Sequence, residues 1–245
     1  TNFICDSLVV ACGGLSIPTM GASPFAYRIA EQFGIKVWPT RAGLVPFTLH
    51  NHDKEKLAPL SGIAVECLVE CNGASFKEAM LFTHRGLSGP AMLQISSYWQ
   101  PGDALTIKLL PECDFFDELI FFKKQTPKIL LKTYFNERLS KRLVSVWLEE
   151  ALANTCLADL SHVTLQSVCD SFQHWQIKPN NTEGYRTAEV TLGGVDCNAV
   201  SSKTFEVKQV AELYFIGEAL DVTGWLGGYN FQWAWASGHA AGNVV

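Results

Sequence analysis

The sequence lacks the features of several special protein classes. No stretch approaches the ~18 to 20 consecutive apolar residues that a membrane-spanning helix needs. Only 18% of the residues are charged and the formal net charge is −5, whereas proteins that bind nucleic acid through its phosphates are usually basic. These absences predict a chain with no membrane span and no nucleic-acid partner.

The eight cysteines form no recognisable metal or disulfide pattern. No Cys-x-x-Cys pair occurs, and no histidine stands at zinc-finger spacing from a cysteine. Cys67 and Cys71 lie four residues apart on a predicted strand and therefore share a face, where free cysteine is often buried. Scattered thiols without a signal peptide are typical of a reducing compartment. We predict structural thiols, no metal site and a cytoplasmic location.

The remaining composition is that of an ordinary globular protein. Apolar residues make up 48% of the chain, beside 19 glycines and 10 prolines, which excludes a disordered, collagen-like or coiled-coil chain. A length of 245 residues suits one large or two modest domains. The chain starts at Thr1 and enters an apolar run at once, so we expect it to begin inside a domain.

The first 39 residues follow the pattern of an α/β domain. Residues 3–12 are predicted to form a strand, which ends at Gly13 and Gly14. A helix is predicted over residues 25–32 and a short strand over residues 35–38. Strand, glycine turn, helix and strand are typical of a dinucleotide-binding fold.

The middle of the chain has a different character. Residues 40–113 resemble short antiparallel strands, and Asn72-Gly73 is the signature of a two-residue hairpin turn. Residues 114–186 are mainly helical in their periodicity. Helix starts are predicted at Thr126, Ser140 and Thr164.

The α/β pattern returns at the end of the chain. Strands are predicted over residues 188–192 and 213–216, and a helix from about Asn230. The sequence therefore predicts one α/β domain, formed by residues 1–39 and 187–245, that is interrupted by an inserted domain over residues 40–186.

The segment after the last predicted strand carries the clearest chemistry. Gly217 ends the strand, and the carboxylates of Glu218 and Asp221 follow at the sheet edge where open α/β folds bind ligands. Gly227 and Gly228 then expose backbone N–H groups at the start of the next helix, whose positive end stabilises anionic groups. The residues alone are compatible with a nucleotide-like ligand or with a tight turn beside a solvated acid.

Four segments form motifs that occur in a fixed order along the chain: 10–14, 81–90, 190–195 and 217–238. Together they resemble a bacterial flavoprotein family described as aminoacetone oxidases or NAD(FAD)-utilising dehydrogenases. The resemblance spans nearly the whole chain and implies a glutathione-reductase-type FAD domain of Rossmann-like topology, interrupted by a β-rich and helical insertion.

The resemblance also implies roles for individual residues. Glu218 and Asp221 would face the ribitol and diphosphate of FAD, and the backbone at Gly228, Tyr229 and Asn230 would meet the pyrimidine edge of the flavin. Tyr229 could instead touch the substrate. The full set of expected cofactor contacts is Gly13, Gly14, Gly217, Glu218, Asp221, Gly227, Gly228, Tyr229 and Asn230.

The implied activity is hydride transfer between a small organic substrate and FAD, with NAD(P)H as a candidate co-substrate. No catalytic residue is identified; His84 and Arg85 are weak candidates, and His84 could equally shape its turn. The family's Gly-x-Gly-x-x-Gly run is absent from the sequence, which leaves an alternative open. The chain would then be a fragment that lacks the N-terminal segment of the FAD domain, retains no FAD and acts only as a folded or interaction module.

Overall fold

The computed structural model describes residues 4–245, so Phe3, where the first predicted strand begins, lies outside the described residues. The strands are β1 (Leu8–Val10), β2 (Val37–Gly43), β3 (Phe47–Thr48), β4 (Ala64–Cys71), β5 (Ala74–Phe82), β6 (Gly86–Ser88), β7 (Leu105–Leu109), β8 (Trp175–Ile177), β9 (Asn181–Thr182), β10 (Val190–Val195) and β11 (Leu213–Phe215). The helices are α1 (Phe25–Gln32), α2 (Asn51–Leu57), α3 (Pro90–Ser96), α4 (Phe115–Gln125), α5 (Leu131–Asn136), α6 (Lys141–Trp147), α7 (Glu150–Ala153), α8 (His162–Gln173) and α9 (Tyr229–Gly242). The protein is therefore a mixed α/β structure.

The chain divides into two compact units. Unit 1 contains residues 4–45 and 183–245, and unit 2 contains residues 46–182. Each unit has its own cluster of buried apolar side chains. The boundaries between the two units lie a few residues inside the range 40–186 that was predicted for an inserted domain. That this range is an insertion stays a prediction.

Unit 1 is built around two short strand pairs. β1 runs parallel to β11, with Val10 opposite Phe215, and β2 runs antiparallel to β10. The strand predicted over residues 3–12 is shorter than expected, since only three of its residues are in β1. The predicted helix over residues 25–32 is confirmed as α1. It buries Ala26 and Ala30, whose small side chains allow the helix to approach the strands closely.

Unit 2 contains a seven-stranded sheet in the order β8-β7-β4-β5-β6-β3-β9, with antiparallel neighbours throughout. The hairpin predicted at Asn72-Gly73 is confirmed between β4 and β5. Both turn residues have positive φ angles, 48° and 79°, as the favoured two-residue hairpin turn requires. Cys67 and Cys71 both point into the core, as their spacing predicts.

The helices of unit 2 differ from the prediction at two starts. Thr126 ends α4 instead of opening a helix. Thr164 is the third residue of α8, which is capped by Ser161 through a 3.0 Å bond from the Thr164 backbone N–H. Ser140 caps α6 as predicted. Serine and threonine three residues apart offer two possible caps, and only the path of the chain selects one.

No helix within residues 4–245 is long and apolar enough to cross a membrane. All eight cysteines carry free thiols. Burial raises the pKa of the Cys67 and Cys169 thiols to about 12, so both stay protonated at neutral pH and act as small apolar side chains.

Candidate functional site

Unit 1 contains a cavity of about 620 Å³, which we call the site cavity. It lies where β11 ends and α9 begins, and this volume is within the range of ligand pockets. Six of the nine residues expected to contact a cofactor line it: Gly13, Gly217, Glu218, Gly227, Gly228 and Asn230. Apolar and aromatic side chains form much of the remaining wall, beside the carboxylate of Glu189: Ile17, Leu44, Val222, Trp225, Phe231, Trp233 and Trp235.

Gly217 joins the strand end to the helix. Its backbone N–H donates to Ser237 Oγ at 2.9 Å, and its carbonyl accepts from Trp233 Nε1 at 3.0 Å. The φ angle of Gly217 is +63°, a conformation that favours glycine. A Cβ added there would lie 3.8 Å from Ala234, so the small helix residue permits the close approach.

The N-terminus of α9 opens at the site cavity. Gly228 precedes the helix with φ of 88°, and no side chain caps it. Asn230 holds the preceding loop, because its Oδ1 accepts from Gly224 N–H at 2.8 Å and its Nδ2 donates to the Gly224 carbonyl at 3.0 Å. The first backbone N–H groups of this 14-residue helix can therefore serve an anionic or carbonyl-bearing ligand.

Glu218 connects three segments of unit 1. Its Oε1 accepts a 2.6 Å bond from the backbone N–H of Thr191 in β10. Thr191 is fully buried, and its Oγ1 accepts from Leu15 N–H at 2.8 Å. Burial raises the pKa of Glu218, while the bond from Thr191 opposes that rise. One carboxylate oxygen therefore braces the fold, although the side chain also lines the cavity.

Gly14 packs beneath this bracing pair. A Cβ added at Gly14 would lie 2.5 Å from Thr191 Oγ1 and 2.9 Å from Glu218 Oε1. Gly13 differs, since a Cβ there would meet nothing within 4 Å. The two adjacent glycines therefore have different roles. Gly14 allows close internal packing, and Gly13 exposes its backbone to the cavity.

Tyr27 lies close to Glu218 and to Tyr185. The Tyr185 hydroxyl is buried and has no hydrogen-bond partner among the described residues, and such a group costs about 1–3 kcal/mol. Burial and the neighbouring Glu218 raise the pKa of Tyr27, while a hydrogen bond with Thr191 opposes the rise.

The other predicted site residues lie apart from the cavity wall. Asp221 is exposed, and its backbone N–H donates to Val195 at 2.9 Å. Tyr229 is 63% exposed at the start of α9. His84 and Arg85 belong to a turn of unit 2, in which Thr83 Oγ1 accepts from the backbone N–H of Arg85 at 3.2 Å. The exposed His84 ring thus sits in a turn that Thr83 shapes.

Sequence reasoning missed three residues that build this site. The Thr191 backbone N–H bonds the Glu218 side chain, and the Trp233 and Ser237 side chains bond the Gly217 backbone, which together tie β10, the end of β11 and α9. The only signal was indirect, since the small residues Ala234 and Gly238 indicate close packing of the helix. Among residues 4–245, no three His, Cys, Asp or Glu side chains are arranged to hold a metal ion.

Replacing Glu218 with glutamine is expected to change how stability depends on pH. The raised pKa means that folded protein keeps this proton to higher pH than unfolded protein. The free energy of unfolding of the wild type should therefore fall, relative to Glu218→Gln, as pH rises from about 4.5 through the folded-state pKa. Glutamine keeps the acceptor for Thr191, so urea unfolding at several pH values isolates the charge. If the free energies of unfolding of the two proteins changed in parallel with pH, the raised pKa of Glu218 in the folded protein would be contradicted.

Comparison with known proteins adds a family and named relatives. Residues 41–190 match the family model described as the HI0933-like protein barrel and H2TH domain. Over 242 residues the chain is 53% identical to the ribosomal RNA dihydrouridine synthase of Haemophilus influenzae, covering 98% of this chain and 60% of that protein. The protein of the same name from Escherichia coli is 54% identical over 238 residues, with coverages of 96% and 60%.

A more distant relative is named for a different activity. The 3-dehydro-bile acid delta(4,6)-reductase of Clostridium scindens is 28% identical over 266 residues, covering 100% of this chain and 63% of that protein. The chain thus spans about 60% of the length of the curated relatives it matches. These relatives carry names other than aminoacetone oxidase, so the narrower resemblance stays a prediction.

Proposed function

The chain belongs to the HI0933-like family, and from that premise we propose that it forms part of an FAD-dependent oxidoreductase that reduces uracil rings in RNA. The observation that carries the proposal is the site cavity, where Gly13, Gly217 and Gly228 converge at the open N-terminus of α9. A more distant relative with a reductase name supports the redox chemistry.

The substrate part of the proposal rests on the names of the similar proteins. Two relatives at 53% and 54% identity are named for making dihydrouridine in ribosomal RNA. That name and the bile-acid reductase name both describe reduction of a carbon–carbon double bond. We therefore propose RNA as the substrate in place of the small molecule expected from the sequence. This proposal also replaces the expectation of no nucleic-acid partner. Location in the cytoplasm, where rRNA is found, is part of the proposal.

The residues present fit a flavin dinucleotide. Cβ atoms added at Gly13 and Gly228 would meet nothing within 4 Å, and both residues have positive φ angles, so their backbones are open to a ligand. The cavity wall combines aromatic side chains with the N–H groups of α9, as a planar ring system with a polar edge requires. A bound FAD would supply the two-electron chemistry that protein side chains lack.

This chain's own residues would orient and polarise that group. The N-terminus of α9 would stabilise negative charge on the adjacent ring edge. Glu218 and Thr191 would hold the strand ends in place, with Trp233 and Ser237 fixing Gly217 against the helix. Roles for Asp221, Tyr229, His84 and Arg85, NAD(P)H as the electron donor, and a glutathione-reductase-type topology remain parts of the proposal.

Titration of FAD into the 245-residue chain tests the cofactor site. Gly228→Val is expected to weaken FAD binding at least tenfold, because the side chain would enter the space beside the α9 N–H groups. Gly21→Val is the matched control, since Gly21 also has a positive φ, 100°, and also has no atom within 4 Å of an added Cβ. Both variants strain the backbone by about 1–3 kcal/mol, but Gly21 does not line the cavity.

Two outcomes would overturn the cofactor part of the proposal. A chain that binds no FAD, or two variants that weaken binding equally, would remove the cofactor site and favour the alternative of a non-catalytic module.

Mass spectrometry of ribosomal RNA from cells with and without the gene tests the substrate. Loss of the gene should leave an unreduced uridine, two hydrogens lighter, where the wild-type RNA has dihydrouridine, and unchanged RNA would contradict the assignment.

A further inference from the structure

Positive charge is concentrated in one short segment of unit 2. Residues 123–142 contain seven lysines and arginines and a single acid, Glu137, for a net charge of +6. The whole chain has a net charge of −5, so all other residues together carry −11. The negative net charge of the whole chain hides this basic segment. The segment includes the end of α4, all of α5 and the start of α6.

The structure orders this segment along one flank of the unit. It runs beside residues 154–160, with Leu130 bridged to Cys156. Lys123 Nζ donates to the carbonyl of Leu160, and Lys132 Nζ donates to the side chain of Asn154. The basic side chains are therefore spread along a defined surface and do not belong to a loose tail.

Four lysines of this surface form what we call the basic ridge: Lys124, Lys128, Lys132 and Lys141. Lys132 and Lys141 line a common cleft of about 370 Å³, and Lys124, Lys128 and Lys141 are exposed. The arginines of the segment are already engaged. Arg138 pairs with Glu118 at 2.6 Å, and Arg142 donates to the Ser61 carbonyl at 3.1 Å.

Two further features of this surface suit a polynucleotide. Phe121 is 59% exposed and lies three residues before Lys124 on α4, so its ring and that lysine are neighbours on the helix. Asn136 lines the same cleft as Lys132 and has a buried Oδ1 without a hydrogen-bond partner among the described residues. Exposed aromatic rings stack on bases, and lysines bind phosphates.

We infer that the basic ridge binds the phosphate backbone of single-stranded RNA, with Phe121 as a stacking surface for a base. The inference rests on the proposed function, which supplies RNA as the substrate class. Glu150 lines the same cleft as Lys132 and Lys141 and Glu137 lies within the segment, so the positive surface is limited to the ridge itself. An overall charge of −5 does not oppose it, because charges farther away than ~10 Å are largely screened at 0.1 M salt.

A charge-matched pair of triple variants tests the inference. Lys124→Gln, Lys128→Gln and Lys141→Gln are combined in one protein. The control combines Lys54→Gln, Lys56→Gln and Lys178→Gln, which are exposed lysines of unit 2 outside the ridge. Both lose three positive charges. Binding of the 245-residue chain to a fluorescein-labelled oligouridine of about 20 nucleotides is followed by anisotropy between about 50 and 200 mM KCl.

The ridge variant is expected to bind the RNA at least tenfold more weakly. Its slope of log affinity against log salt should be less steep by about 2, since each lost phosphate contact contributes ~0.7 for single strands. The control should change affinity less than about twofold. Phe121→Ala should weaken binding about fivefold or more with an unchanged salt slope, because stacking involves no counterion release.

Equal losses in the two triple variants, an unchanged salt slope, or no RNA binding by the parent chain would overturn the inference. FAD titration of the same preparations separates it from the proposed function. If the chain binds no FAD but binds RNA through the ridge, only the cofactor proposal is refuted. If it binds FAD normally and binds RNA independently of the ridge, only the RNA-binding role of the ridge is refuted.

Discussion

Phe135→Ala is expected to lower the free energy of unfolding of unit 2 by about 3–5 kcal/mol. Phe135 is fully buried and stacks on Phe172 with ring centroids 4.5 Å apart. Edge-to-face contacts with Phe115 at 5.2 Å and Tyr134 at 5.0 Å surround it. Truncation removes these contacts and leaves a cavity among rigid rings that cannot collapse around it.

Urea unfolding followed by tryptophan fluorescence measures this loss. Trp147 lies 5.7 Å from Phe172 and reports on the same cluster. Phe121→Ala is the matched control, because its ring is 59% exposed and its removal should cost less than about 1 kcal/mol. A Phe135 variant as stable as the control would show that the aromatic cluster does not hold unit 2 together.

Gly14→Ala is expected to destabilise unit 1 by about 1–3 kcal/mol or more and to weaken FAD binding. The new methyl group would lie 2.5 Å from Thr191 Oγ1 and 2.9 Å from Glu218 Oε1. It would therefore push apart the pair that joins β10 to the end of β11, and the change would reach the cavity wall through Glu218. Thermal unfolding and FAD titration measure the two effects.

Gly242→Ala provides the control for this substitution. Gly242 is the last residue of α9, its φ is not in the left-handed region, and an added Cβ would meet nothing within 4 Å. Alanine there should be neutral or stabilising by up to about 1 kcal/mol. If Gly14→Ala matched this control in stability and FAD affinity, the packing role assigned to Gly14 would be wrong.

Local patterns in the sequence identify many of the elements. The helix over residues 25–32 and the Asn72-Gly73 turn are predicted correctly because both depend on interactions within a few residues. The helix starts at Thr126 and Thr164 are wrong, because the Thr126 hydroxyl donates to the Phe122 carbonyl at the end of α4 and Ser161 caps α8 in place of Thr164. The glycines and acids of the cofactor motif were likewise visible as a pattern.

The sequence by itself determined the character of this protein: its mixed α/β class, the buried thiols of Cys67 and Cys71, and the glycine-rich segment around Gly217 and Gly228. Only the tertiary structure decided that Gly14 and Glu218 brace Thr191, while Gly13 and Gly228 open to the site cavity. It also ordered the lysines of residues 123–142 along one surface, which the net charge of the chain had concealed. Composition and periodicity record local preferences, whereas these arrangements depend on contacts between residues far apart in the chain.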